Sequence, residues 1–111
     1  MNERQRRVGK NEALFREVNE RIERVTESLQ VTTENLRILC ECGDDTCTDQ
    51  LEVSLADYER IRSDPTLFLV RRGHEEPDVE DVVEQTPNYD VVRKKAGESA
   101  ALARDLDPRT P

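Results

Sequence analysis

Between Asn11 and Leu29 the apolar residues Phe15, Val18, Ile22, Val25 and Leu29 recur at spacings of 3, 4, 3 and 4, and Val8 extends the stripe one heptad back. That period belongs to a helix. Asn11 is a suitable N-cap, and Glu12 would meet the positive end of the helix dipole. Glu17, Glu20, Arg21, Glu23, Arg24 and Glu27 fill the other faces. The pattern predicts an amphipathic helix over 11–30. Its spacing fits two arrangements, a coiled-coil seam holding a homodimer or a helix lying on its own domain's sheet. Leu14 widens the stripe beyond a strict seam.

After a connection over 31–35 the period changes to two. Leu36, Ile38, Cys40 and Cys42 alternate with Arg37, Leu39 and Glu41, which predicts a strand whose inward face ends in thiols. Gly43-Asp44-Asp45-Thr46 is turn chemistry. Gln50 to Leu55 alternates again, so the two strands form a hairpin with the cysteine loop at its tip. Ser54 and Asp57 read as a capping box for a short helix that buries Tyr58 and Ile61, and Asp64-Pro65 stops it. A short apolar strand follows over 67–71, closed by Gly73 and His74. Val79, Val82 and Val83 pair with Tyr89, Val91 and Val92 across the Thr86-Pro87-Asn88 turn, with one acidic, solvated face. A short helix fits 98–106, ahead of a tail.

The fold class is therefore α+β: a long N-terminal amphipathic helix, a small antiparallel sheet of hairpins, one short helix and a zinc-stapled loop. The organisation reads as a basic flexible arm over 1–10, the helix over 11–30, a zinc-binding domain over 36–95 and a C-terminal tail over 96–111.

Composition sharpens this picture. With 111 residues the chain makes one domain, and only 34% of it is hydrophobic, with no Trp. Such a thin core calls for a staple. The net charge of −8 opposes a phosphate backbone and disfavours nucleic acid as a partner. The first ten residues hold four bases, Arg4, Arg6, Arg7 and Lys10, against the single acid Glu3, a local contrast suited to an acidic partner or to plain solvation. No apolar run approaches the roughly 20 residues of a membrane span. No apolar segment follows the basic N-terminus, so the expected location is cytoplasmic.

The strongest chemical signal is Cys40-Glu41-Cys42-Gly43-Asp44-Asp45-Thr46-Cys47 with the single histidine, His74. An odd number of clustered thiols in a reducing compartment points to metal ligation over disulfides. Three thiolates and an imidazole suit tetrahedral Zn2+. Cys40 and Cys42 share a strand face, Gly43 permits a sharp turn, and Gly73 lets His74 swing over the same point. Glu41, Asp44 and Asp45 stand as alternative fourth ligands. Four protein ligands close the coordination shell, which favours a structural ion over a hydrolytic one. A zinc-thiolate redox sensor is the other reading, although the acids at 41, 44, 45 and 49 disfavour attack by oxidants.

The run Asn11-Glu12-Ala13-Leu14-Phe15-Arg16-Glu17-Val18-Asn19-Glu20-Arg21-Ile22 resembles the opening helix of a family of small uncharacterised actinobacterial proteins. Cys40-Glu41-Cys42-Gly43 through Cys47, then Leu55 to Arg62, Asp64-Pro65 and Gly73-His74-Glu75, is similar to the same family. The resemblance spans about 10–95. It implies a cytoplasmic bacterial origin and a shared Cys/His set, and it implies nothing about a substrate. Together these readings give a small zinc-binding interaction or regulatory module with a protein partner, and no catalytic residues are assigned. A redox sensor and a small metal-dependent hydrolase are the alternatives.

Overall fold

The structure, a computed structural model, describes residues 1–28 and 35–109. Leu29 and most of the expected 31–35 connection lie outside the described residues. The elements are α1 (Glu3–Ser28), β1 (Asn35–Leu39), β2 (Gln50–Ser54), α2 (Leu55–Arg62), β3 (Leu67–Val70), β4 (Glu80–Gln85), β5 (Asp90–Lys94) and α3 (Glu98–Asp105). β1 and β2 form an antiparallel hairpin with Asn35 opposite Ser54 and Leu39 opposite Gln50. The other three strands form an antiparallel sheet in the order β3-β5-β4. The α+β class and the hairpin carrying the cysteine loop are as the sequence implies. No helix among the described residues is long and apolar enough to cross a membrane.

Local signals explain most boundaries. Ser54 Oγ accepts from the Asp57 N–H at 3.0 Å and starts α2. Tyr58 and Ile61 are fully buried. Leu36, Ile38, Leu51 and Val53 of the hairpin pack with them and with Leu67, Leu69 and Val91 from one face of the sheet. Phe68, Val70 and Val92, on the opposite face, pack with Cys40, Cys42 and Ala103 of α3. The sheet therefore has a core on both faces, and the tail segment containing α3 is part of the second one.

The N-terminal helix differs from expectation in two ways. It begins at Glu3, so most of the expected flexible arm is helical. Asn2 Oδ1 accepts from the Gln5 N–H at 2.8 Å, and Gln5 Oε1 accepts from the Asn2 N–H at 3.0 Å. That reciprocal pair is a capping box, built well before the expected cap at Asn11. Asn11 instead donates from Nδ2 to the Gly43 carbonyl at 3.0 Å.

The second difference is the face that is buried. Phe15, Val18 and Ile22 are only half-buried and Val25 is exposed, whereas Glu12, Arg16, Asn19, Glu20 and Glu23 are buried. The helix does lie on its own domain, but through polar side chains. Lys94 Nζ donates to Glu12 at 2.6 Å and to Glu80 at 3.0 Å. Arg16 stacks over the Phe68 ring at 4.6 Å and donates to the carbonyls of Pro65 and Ala103 at 2.7 and 2.8 Å. Asn19 satisfies both backbone groups of Leu39, each at 2.8 Å, and donates to Glu41. These contacts lead to different elements, so the polar face fixes the position of α1 on the domain.

Glu41 and Arg62 form a bidentate pair at 2.9 and 3.1 Å with both side chains fully buried. Glu41 also accepts from the Leu69 N–H at 3.0 Å. Replacing Arg62 leaves that carboxylate uncompensated inside the protein. We expect Arg62→Met to cost about 3–5 kcal/mol in urea unfolding. The Glu41→Gln/Arg62→Met double variant should cost less than the single one, because no uncompensated charge is left at this pair and the substituted amide can still accept from the Leu69 N–H.

Glu23 yields a prediction about pH. Burial, followed by its hydrogen bond to Glu59, holds the Glu23 carboxyl up at about 8 against an ordinary 4.5. The folded protein therefore keeps a proton that the unfolded chain releases near 4.5, and this contribution to stability is lost as pH rises toward 8. In Glu23→Gln the melting temperature relative to the parent should rise across that window. A constant difference would refute the assignment.

Candidate metal centre

Cys40 and Cys42 follow β1 on the alternation that buries Leu36 and Ile38, so both thiols are buried together. Glu41, between them, is held in the Arg62 pair and is not a fourth ligand. Asp44 and Asp45 are exposed and lie outside the cluster. The Asp44 carboxylate caps the turn instead, accepting from the N–H and hydroxyl of Thr46 at 2.9 and 2.7 Å. The Cys47 N–H donates to the Asp44 carbonyl at 3.1 Å, which brings the loop back.

His74 comes from the turn after β3. Gly73 has φ +85°, a left-handed conformation in which a side chain is strained. Its N–H donates to Asp90 at 3.1 Å, and the His74 N–H donates to the Arg71 carbonyl at 2.9 Å. Gly43 has a different role from the one expected. Its φ is not in the left-handed region; instead, a Cβ there would lie 2.5 Å from Val8 Cγ1. The glycine lets the cysteine loop lie directly against α1.

One ligand atom from each of Cys40, Cys42, Cys47 and His74 lies within 4.8 Å of all the others. His74 Nδ1 is 3.7 Å from Cys40 Sγ and 3.8 Å from Cys47 Sγ. A tetrahedral zinc, with Zn–S about 2.3 Å and Zn–N about 2.0 Å, sets S···N edges of about 3.6 Å. The four residues are thus close enough to bind a metal ion, and the two S···N distances lie near that edge length. All three cysteines are free thiols.

Thiols this close share protons. The hydrogen bond from Cys40 pulls the Cys42 thiol down to about 5. The same contact, followed by burial, pushes Cys40 up, and burial pushes Cys47 up. The Arg71 N–H donates to Cys40 Sγ at 3.1 Å, a contact that favours thiolate.

Two supporting groups were not legible in the sequence. Asp49 Oδ2 accepts from Arg71 Nη1 at 3.0 Å and lies 3.8 Å from His74 Nε2. The same oxygen accepts from Cys47 Sγ at 3.7 Å, so Asp49 borders both the thiol and the imidazole, a place from which a carboxylate can orient ligands. The only sequence signal was an acid two residues after Cys47. The Arg71 backbone donor carries no side-chain signal at all.

A second group with metal-ligand spacing among the described residues, Glu23, Glu27 and Glu59, is met by a guanidinium: Arg109 donates to Glu23 at 3.2 Å and to Glu59 at 2.9 and 3.2 Å.

No protein-family model, curated protein or solved structure matches this chain.

The seat of the loop is open to test. Gly43→Ala should destabilise the protein by about 1–3 kcal/mol through overpacking against Val8. Val8→Ala should recover part of that loss in the double variant. Additive costs in thermal unfolding would show that the two sites do not meet.

Proposed function

We propose that this chain is a small cytoplasmic zinc-binding module for protein interaction or regulation, with one structural Zn2+ held by Cys40, Cys42, Cys47 and His74. The observation that carries the reading is the donor set itself: three sulfurs and an imidazole nitrogen all within 4.8 Å of one another. Soft sulfur donors select zinc over magnesium or calcium. Four protein donors leave no open position for water or substrate, which supports an interaction role over hydrolysis. Free thiols fit a reducing compartment.

The ion supplies folding free energy in this reading. Structural zinc contributes on the order of 10 kcal/mol, comparable to the entire net stability of a small domain. Cys40 and Cys42 lie in the core on one face of the sheet, so the ion ties the loop and the His74 turn to that core.

Elemental analysis of untagged protein should give one zinc per chain. His74→Ala should weaken binding, and Cys42→Ser or a strong chelator should lower the melting temperature and erode the native circular dichroism. A chelated protein that keeps both would refute a structural ion. Zinc release under peroxide, followed with a chelating dye, separates the redox-sensor reading: release no faster than oxidation of ordinary thiols removes it.

A further inference from the structure

We infer that the groove between α1 and α3, together with the basic hollow at its end, is a docking surface for an acidic protein segment carrying a bulky apolar anchor residue. This rests on the reading of the chain as an interaction module and names the partner's chemistry.

Gly9 makes the groove possible. A Cβ there would lie 2.8 Å from Leu102 Cδ2, so the glycine lets α3 lie close on α1. Beside this contact the two helices leave a groove of about 310 Å³, floored by Ala13 and walled by Leu14, Leu102 and Leu106, with Lys10 at one end and Glu17 at the other. Leu14 is 57% exposed and Leu106 42%, two of only four large apolar side chains so exposed among the described residues. Their pairing across one groove sets them apart from singly scattered apolar residues.

Charge decides what fits. Lys10 lines this groove and also the adjoining hollow of about 460 Å³, where Arg6 and Arg7 stand with the single acid Glu3, so three bases face one carboxylate there. The side chains of Arg6, Arg7 and Lys10 are exposed and make no hydrogen bond or ion pair among the described residues; Arg6 acts on Glu98 only through longer-range attraction. Arg4, by contrast, is paired with Glu76 and Asp78. Three unpaired bases in a chain of net charge −8 mark a local reversal of sign. An acidic segment would be attracted by these bases. The adjoining aliphatic groove favours a peptide side chain over a nucleic-acid backbone, which has no aliphatic group to fill it.

The test uses the zinc-loaded full chain and a random-peptide library displayed on phage, followed by a synthetic peptide of the selected consensus. Selected peptides should carry Asp or Glu beside Leu, Ile or Phe, and binding should weaken with salt. Leu14→Glu, at an exposed position, should reduce affinity about tenfold or more. Arg7→Glu and Lys10→Glu should weaken binding and flatten its salt dependence, while Glu17→Lys at the other end should strengthen it. Failure to select any peptide, or selected peptides indifferent to Leu14→Glu, overturns the proposal. So does binding of labelled RNA that depends on Arg7 and Lys10 but not on Leu14, or sedimentation showing a dimer that Leu14→Glu dissociates. Metal analysis of the same preparation keeps the two readings apart. Metal-free protein that stays folded and binds the peptide refutes the structural zinc alone, and zinc-loaded protein that selects nothing refutes the docking surface alone.

Discussion

Buried charge must be matched, and in this protein that requirement sets the position of the longest helix. The inner face of α1 presents Glu12, Arg16, Asn19, Glu20 and Glu23 to the domain. A carboxylate or guanidinium out of water is costly unless a partner stands at hydrogen-bonding distance. The partners come from elements far apart in the chain: Lys94 of β5, the Pro65 and Ala103 carbonyls, Leu39 of β1, and Tyr58 of α2, whose hydroxyl donates to Glu20. An apolar face tolerates sliding, because one methyl group packs much like another. A face made of ion pairs and hydrogen-bonded polar groups does not, since any shift strands several of them at once.

The same constraint reaches the metal centre. Cys40, Glu41 and Cys42 are consecutive in an extended segment, where neighbouring side chains point opposite ways. Two thiols go to the ligand cluster while the carboxylate between them goes to Arg62, Asn19 and the Leu69 N–H. The Glu41 N–H donates to the Leu69 carbonyl at 2.8 Å, and the Arg71 N–H donates to Cys40 Sγ. The segment is thus pinned along β3 from both sides. β3 also leads into the Gly73 turn that delivers His74, so one strand places the histidine and holds the thiols. A metal ion arriving at this cluster would meet ligands already fixed by a buried ion pair.

Polar groups under α1 also determine what its other surfaces are free to do. The face toward solvent carries Arg7, Lys10 and Leu14, and α3 closes on it only where Gly9 leaves room. Stability comes from one side of the helix, so its outer side can vary in charge and apolarity without disturbing the fold.

Most of the element order was legible in the residue pattern. The period-two runs placed β1, β2 and β5, and Ser54 with Asp57 placed the start of α2. The four residues of the Cys/His cluster were also legible, because three thiols and the single histidine are the chain's soft donors and the thiols are closely spaced. Which face of α1 turns inward was settled by tertiary contacts. Hydrophobic periodicity reports apolar side chains alone, and a buried face of Glu, Arg and Asn looks like solvent to it; such a face becomes interior only when Lys94, Tyr58 and the Leu39 backbone arrive from elsewhere. The start of α1 depends on a reciprocal cap between Asn2 and Gln5, a polar pair outside the apolar period that begins the stripe. Which of Glu41, Asp44, Asp45 and His74 lies with the three thiols was likewise tertiary, because it turned on Arg62 claiming Glu41 and on the Gly73 turn carrying the imidazole to them.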